Sequence, residues 1–457
     1  MKYYCDKCKF KTIRLFRIKE HKKIHNPTLI SFEDLEKLMS PTRFDIIAKY
    51  LYVKYYDKKI NSNFYIELYS KHIESLNGYW EYPGTKTNLS EFLDHFNKLI
   101  ESIKNEGFNE KYFIPVGYKY NIINGSHRTA ISYYYKMKPF ITIDENNKTN
   151  QYPYTYFTQN TKYPYLDALY TDEMALQYIK INKNIRCMIL HPKITNNNIY
   201  DKLDKLDDII KNYGIIYYKK TIELTDKGYY NLIKELYRGE EWIGGIFPTK
   251  GYNKFLQCKN NKTPHKVILI LIAFDNPINN IELKKNCRKI FKIKKTSLHT
   301  TDYNIDTFRV ASALLNKNSI HFLNNGTNNL SNNTEKLLES YFEYINTNNY
   351  NYNENFCITS SCILEMYGLR NANDIDYLHE NDYNIQINNI NCHNKKWLSY
   401  YTIDKHDIIY NPNNYFYFNG YKFATLNIIY KMKENRNEEK DKIDIELIKN
   451  FNSNYKN

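Results

Sequence analysis

The sequence predicts a multidomain α+β protein, a short metal-held ββα unit followed by three mixed blocks of helices and strands. Three observations carry this. With 457 residues and 42% hydrophobic content, the chain has material for several cores, because single cores stop growing well below this length. Two polar stretches without a sustained apolar period, ENNKTNQYPYTYFTQNTKYPY (145–165) and NNGTNNLSNNTEK (324–336), punctuate it. Elsewhere short apolar runs of strand character alternate with segments whose apolar residues recur every three or four positions. These marks set units at 1–26, 62–145, 185–323 and 346–457, a helical connector at 27–61, and linkers at 146–184 and 324–345.

Charge and cysteine usage narrow the setting. The net charge is +15, and residues 1–26 hold nine Lys/Arg against two Asp/Glu, so +7 of it sits there and the body is only mildly basic. The 47 tyrosines, like the frequent Lys, Asn and Ile, match AT-rich coding sequence, so they do not argue for base stacking or phosphate binding. Beyond Cys5 and Cys8 the six other cysteines are scattered singly. No disulfide framework is visible, which implies a reducing compartment. The N-terminus is charged and lacks an apolar leader, and no run approaches eighteen apolar residues. The expectation is a soluble intracellular protein of cytoplasm or nucleus, with no membrane partner.

The first unit opens YYCDKCKFKTIRLFRIKEHKKIH: C-x2-C, twelve residues, then H-x3-H. Cysteines on a tight turn and two histidines four apart on one helix face offer the tetrahedral S2N2 set that Zn2+ prefers, with Phe10 and Ile18 where a small apolar core would form. This stretch resembles the C2H2 zinc finger, which implies structural Zn2+ on Cys5, Cys8, His21 and His25. By the same resemblance Arg14, Arg17 and Glu20 face nucleic acid. A lone finger covers only about three base pairs. The expectation is weak contact with nucleic-acid backbone or with a protein.

In the first block a helix at Phe96–Asn105 stops at Gly107, strands follow at Ile114–Val116 and Tyr120–Ile123, and Asn124-Gly-Ser-His-Arg opens a helix. A glycine turn entering a helix directs free N–H groups outward, and adding His and Arg makes an anion site. The order is similar to the ParB/sulfiredoxin-like fold, which implies phosphate binding by Gly125, Ser126, His127 and Arg128. Ser126 stands where a sulfiredoxin needs its cysteine, so that redox chemistry is excluded.

In the second block strand IRCMILHP, a helix carrying Leu203, Leu206, Ile209, Ile210 and Tyr213 on one face, strand GIIYYKKTIEL, helix Asp226–Leu236, strand KVILILIAF, helix Ile281–Ile290 and TSLHTTDYN give a ferredoxin-like βαββαβ order. The succession resembles nucleoside diphosphate kinase, which implies His299 as phosphoryl carrier and Arg288 as phosphate ligand. The departures are Thr296 and Thr300 for the family's Asn and Gly, His191 for a lysine, and Val310 where a glutamate orients the histidine.

In the third block FCITSSCILEMYGLRNANDIDYLH places serines after a strand, then twelve residues, then Asp374-Ile-Asp376. Residues i and i+2 of a strand share a face, so both carboxylates can meet one Mg2+. The pattern is similar to the nucleotidyltransferase family, with Ser360 in the glycine position. The resemblance implies Ser360 and Ser361 on a nucleoside triphosphate, Asp374, Asp376 and a third carboxylate, Asp407, on Mg2+, and a closing helix bearing Lys440, Asp441 and Asp444. Together the blocks point to a nucleotide-dependent phosphoryl or nucleotidyl transferase acting on an unidentified small molecule or glycan precursor, a sugar or polyol. Two readings stand beside it: a zinc-finger nucleic-acid-binding protein with a ParB-like nuclease domain, and a binding protein with inactive enzyme folds.

Overall fold

The protein is mixed α/β and multidomain, built on several small sheets. The computed structural model describes residues 27–81, 84–117, 120–144, 151–159, 162–195, 199–327, 329–348 and 354–454, and the backbone of two short segments before them. Those segments, β1 (Tyr3–Tyr4) and β2 (Lys11–Thr12), pair antiparallel. The expected zinc ligands Cys5, Cys8, His21 and His25 and the contacts Arg14, Arg17 and Glu20 lie outside the described residues. The chain divides into two compact units, Met1–Met174 and Ala175–Asn457.

In the first unit β3 (Thr28–Leu29), β4 (Ile114–Val116) and β5 (Phe140–Ile143) form a sheet ordered β3-β5-β4. The β4–β5 pair is parallel and needs a crossover, which the helix Ser126–Tyr135 supplies. The longest helix, Leu89–Glu106, starts where Asn88 accepts from the Glu91 amide at 3.1 Å while Glu91 accepts from the Thr87 amide at 2.7 Å. Phe92, Phe96, Ile100 and Ile103, three or four apart, turn one face onto Tyr52, Val53, Tyr69, Ile73 and Ile131. Gly107, at φ 80°, ends it.

Two expectations change here. The segment 27–61 is no connector: β3 adds a strand to the sheet, and helix Asp45–Asp57 buries Ile46, Ile47, Leu51 and Val53 completely. Around 120–123 there is a turn with one bridge, Val116 to Ile122, and not a strand, because Tyr120 takes a positive φ.

In the second unit β6 (Ile185–Leu190), β7 (Gly214–Leu224), β8 (His265–Phe274) and β9 (Leu298–Thr300) form an antiparallel sheet ordered β7-β8-β6-β9. Helices Tyr200–Ile210 and Asn280–Phe291 close one face, where Leu206, Ile210, Leu283, Cys287 and Phe291 meet Met188, Leu190, Ile268, Ile270 and Leu298. The remaining strands are β10 (Phe356–Thr359), β11 (Ile375–His379), β12 (Ile390–Cys392), β13 (Tyr415–Phe418) and β14 (Tyr421–Ala424), in the order β12-β11-β10-β14-β13.

Blocks two and three are not separated by a linker. Helix Asn332–Thr347 begins inside the Asn-rich run, with Ser331 accepting from the Thr334 amide, and buries Leu338, Tyr341, Phe342 and Ile345 at helical spacing. Glu365 anchors its start by accepting from the Ser331 amide (2.5 Å), the Thr334 hydroxyl (2.7 Å) and the Ala372 amide (2.5 Å). Among the described residues the six cysteines are free, and no helix is long and apolar enough to cross a membrane.

Candidate active site

The third block builds an open polar cleft of about 500 Å³. Its floor is the register of three adjacent strands. Asp376 on β11 stands opposite Thr359 of β10 on one side and Asn391 of β12 on the other, and Asp374 immediately precedes β11. Between β10 and the helix Ser361–Met366 the chain turns at Ser360, at φ 63° and ψ −140°, a region that glycine enters without a Cβ penalty. That turn sends Ser361 toward the carboxylates, where its hydroxyl donates to Asp374 Oδ1 at 3.0 Å.

Neither Asp374 nor Asp376 has a Lys or Arg within ion-pair distance among the described residues, and Asp376 is only 6% exposed. Yet four cations, Arg370, Lys433, Arg436 and Lys440, line the same cleft. Three of them are held from behind. Lys433 reaches Asp441 at 3.2 Å and Asp444 at 2.7 Å, Arg436 grips Asp441 through Nη2 (2.6 Å) and Nε (2.8 Å), and Arg370 takes Asp444 at 2.5 and 2.8 Å. Burial alone would raise Asp441, but the Arg436 hydrogen bonds and the Lys433 charge outweigh it and hold the carboxyl at about 2. Asp441 and Asp444 are fully spent as counter-ions, so the tail motif positions cations and offers no free carboxylate.

Asp407 does not join this site. It lies on helix Lys405–Tyr410 and accepts from the side chains of Asn411 (3.1 Å) and Asn414 (3.4 Å), and it is absent from the lining of the cleft. The apolar residues that follow it, Ile408, Ile409 and Tyr410, form the buried side of a short helix and not a strand beside the Asp-x-Asp pair. In its stead His393 lines the cleft, with Nε2 at 3.2 Å from Asp376 Oδ1 and Nδ1 at 3.3 Å from the Tyr401 hydroxyl, which meets Thr359 Oγ1 at 2.8 Å. A histidine immediately after the strand that pairs with the Asp-x-Asp strand was the sequence signal for it.

The cleft can hold a divalent ion on chemical grounds. Two adjacent oxygen donors without a protein cation suit Mg2+, which binds through one or two carboxylates and completes its shell with water and phosphate oxygens. Among the described residues no three His, Cys, Asp or Glu side chains already converge at metal-binding separation, so phosphate oxygens would have to supply the remaining positions.

The histidine of the second block sits differently. His299 is on β9 opposite Ile189 of β6, and His191 follows two residues later on the same face. Burial pushes the His299 imidazole down to about 3, with Lys284, Arg309, Lys254 and Arg288 adding to the effect, and its ring meets Tyr237 edge to face at 4.9 Å. His191 is completely buried, bonded through Nδ1 to the Tyr229 hydroxyl at 3.0 Å, with Nε2 unpartnered. Arg288 donates to the Leu298 carbonyl at 3.2 Å. Among the described residues no carboxylate is hydrogen-bonded to His299, and the position expected to orient it is Val310, wholly buried.

In the first unit the Gly125–Arg128 turn is present, with Gly125 at φ 98°, but its side chains turn inward. His127 Nε2 meets the Tyr69 hydroxyl at 2.8 Å and packs on Phe96 at 4.4 Å, and burial drives its imidazole well below the usual range. Arg128 donates to the carbonyls of Tyr112 and Phe113. Ser126 is the first residue of the helix. Sequence reasoning missed the neighbouring buried trio, in which Asp45 bridges Arg43 at 2.8 Å and Lys49 at 2.9 Å.

Compared with protein-family models, with curated proteins and with solved structures, the chain finds no match in any of the three.

Proposed function

We propose that this chain is a divalent-metal-dependent nucleotidyltransferase that uses a nucleoside triphosphate as donor in the Asp374/Asp376 cleft. The observation that carries the reading is the asymmetry of that cleft: two carboxylates that no Lys or Arg ion-pairs among the described residues share it with four cations, three of which have their counter-ions behind them. A triphosphate bound with its divalent ion matches both sides at once. When bound, that ion would act as a Lewis acid on the α-phosphate and neutralise charge on pyrophosphate. Asp374 and Asp376 would hold it, Ser361 keeps Asp374 turned to the cleft, and Arg370, Lys433, Arg436 and Lys440 would stabilise the β- and γ-phosphates. The acceptor is a hydroxyl compound, with a sugar or polyol the class expected from the kinase-like and nucleotidyltransferase-like succession.

The sheet orders support the finer fold assignments. The order β7-β8-β6-β9 is that of a ferredoxin-like βαββαβ unit, which favours a nucleoside-diphosphate-kinase-like second block. The β4–helix–β5 crossover opening at Gly125 favours a ParB/sulfiredoxin-like first block, and the β1–β2 hairpin favours a C2H2 finger holding Zn2+.

The test incubates the protein with each α-labelled nucleoside triphosphate, Mg2+ or Mn2+, and a pool of sugars, polyols and their phosphates. Pyrophosphate release and label transfer are expected. Asp374→Asn and Asp376→Asn remove metal-binding charge while keeping shape, so activity should fall by about a hundredfold or more with little change in melting temperature. If the wild type binds no triphosphate and Asp376→Asn unfolds it, the pair is structural and the chain is a binding protein.

A further inference from the structure

We infer that His393 is a positioning residue that holds Asp376 as a neutral donor, in an Nε2–H tautomer fixed by a chain of hydrogen bonds running from Thr359 through Tyr401. The inference rests on the nucleotidyltransferase reading above and assigns what orients the second of its two carboxylates.

The chain of contacts follows from the strand register. Thr359 of β10 stands opposite Asp376 of β11, and His393 follows β12, where its backbone amide donates to the Tyr377 carbonyl at 2.8 Å. Both ring nitrogens are thereby placed: Nε2 lies 3.2 Å from Asp376 Oδ1 and Nδ1 lies 3.3 Å from the Tyr401 hydroxyl, which is 2.8 Å from Thr359 Oγ1. All four residues are less than one-tenth exposed, so each hydrogen needs a partner inside the protein. Counting those hydrogens fixes their direction. A carboxylate only accepts, so Nε2 carries a proton. Among the described residues the Thr359 hydroxyl meets no side chain other than Tyr401, and its hydrogen goes there. Tyr401 then directs its own hydrogen to Nδ1, which accepts it and is unprotonated. Were Nδ1 protonated, Tyr401 would have to donate to Thr359, and the buried Thr359 hydrogen would be left without an acceptor. Burial also raises the Tyr401 phenol well above its ordinary value, so it keeps the hydrogen that the chain requires.

The consequence is electrostatic. Ser361 donates to Asp374 Oδ1 at 3.0 Å as a neutral hydroxyl, and His393 donates to Asp376 Oδ1 as a neutral imidazole. Each carboxylate is turned by a donor that brings no charge, so both keep their negative charge for a ligand. A lysine or arginine in either place would orient the carboxylate and neutralise it together. Carboxylate oxygens also hold more lone pairs than one hydrogen bond uses, so the His393 contact leaves Asp376 able to bind an ion. Trp397 packs on the imidazole with ring centroids 5.6 Å apart and helps to hold its plane. Outer partners of this kind set the orientation of a metal ligand without touching the metal.

The experiment uses the full chain with its histidines labelled with nitrogen-15. Long-range proton–nitrogen correlation reads the tautomer of each ring, and His393→Gln identifies the His393 signals by their loss. The wild type should show an Nε2–H ring with an unprotonated Nδ1, and Tyr401→Phe, which deletes the donor to Nδ1, should show a mixture of tautomers. Calorimetry then measures the affinity for each of the four α,β-methylene nucleoside triphosphates with and without Mn2+. The gain that Mn2+ brings reports the ion at the carboxylates. His393→Leu should cut that gain about tenfold or more and leave the Mn2+-free affinity unchanged, because the cations of the cleft are untouched. Tyr401→Phe should cut it less, and His393→Gln, which keeps a donor for Asp376 and an acceptor for Tyr401, should restore most of it. A protonated Nδ1 in the wild type, or a Mn2+ gain that neither His393→Leu nor Tyr401→Phe alters, overturns the inference while the nucleotidyltransferase reading stands. If Mn2+ brings no gain with any of the four nucleotides in the wild type, that reading falls, and the positioning role falls with it whatever the tautomer. Should His393→Leu fail to fold, Tyr401→Phe decides alone, since it removes one oxygen atom and keeps the ring.

Discussion

The Asp374/Asp376 cleft and the His299 cluster belong to one compact unit, and both gather cations around a residue that chemistry would select as reactive. They differ in what those cations are for. At the cleft the cations are neutralised from behind by Asp441 and Asp444, and the reactive carboxylates remain open. Around His299 and His191 the positive groups crowd imidazoles that burial already keeps neutral, and among the described residues no carboxylate is hydrogen-bonded to either ring. A site whose supporting charges are satisfied elsewhere keeps its functional groups free for a ligand. Around His299, which is half-buried, Lys284 pairs with Asp302 and Arg309 with Glu235 and Asp306, so the carboxylates there serve the cations and none is left for a ligand.

The sharpest break in this comparison is acid. His299 is held at about 3, against an ordinary value near 6.5, and His191 is also driven well below that value by burial. Below pH 6.5 the unfolded chain takes up protons that the folded chain refuses, so stability is fully present above 6.5 and falls as pH drops. Each such histidine costs about 1.4 kcal/mol per pH unit until it protonates in the fold. The Asp441 contribution runs lower. Its carboxyl is depressed to about 2, so its stabilisation persists down to about pH 4 and disappears between 4 and 2. Denaturant unfolding of the wild type should therefore lose several kcal/mol between pH 6.5 and 4.5. His299→Gln should flatten that slope and Asp441→Asn should not. A slope untouched by His299→Gln would mean that its ring reaches solvent.

A second break concerns the buried network. Lys433 is 2% exposed and touches two carboxylates that are themselves almost wholly buried. Lys433→Met keeps the volume and removes the charge, leaving Asp444 with Arg370 and Asp441 with Arg436. Truncating one partner of a buried ion pair costs about 3–5 kcal/mol, and the surviving arginine partners should place this change toward the lower end. Urea unfolding measures it. An effect near zero would show that the arginines alone neutralise the pair, and that Lys433 is free to serve the ligand.

How much of this was legible follows the same division. Strands β6, β7 and β8 of the second block and the helices covering one face are long, strongly patterned runs, and periodicity finds such segments. The Asp-x-Asp pair was legible because a two-residue strand period alone places both carboxylates on one face. Three things were hidden. Asn332–Thr347 was obscured by a polar first turn, although Leu338, Phe342 and Ile345 keep helical spacing. The 27–61 segment read as a connector because β3 is only two residues long and takes its meaning from β5, more than a hundred positions away. The inward turn of His127 and Arg128 depends on Tyr69 and on the carbonyls of Tyr112 and Phe113, and no local motif encodes those partners.

The smallest expected effect is also the most direct test of the turn that opens the cleft. Ser360 holds φ 63° and ψ −140°, a conformation where a Cβ atom is crowded by the backbone and only glycine sits without strain. The resemblance to nucleotidyltransferases puts glycine at this position, so the backbone keeps the turn while the side chain strains it. Ser360 is 6% exposed, and neither its hydroxyl nor its Cβ caps the following helix. Ser360→Gly should therefore relieve strain of about 1–2 kcal/mol, partly offset by the greater freedom of glycine in the unfolded chain, for a net gain of about 1 kcal/mol. Melting temperature should rise slightly, and divalent-ion affinity in the cleft should be unchanged because Ser361 still holds Asp374. Destabilisation by Ser360→Gly would mean that the serine hydroxyl supports the turn by more than its backbone strain costs, and the cleft would then depend on serine where glycine was expected.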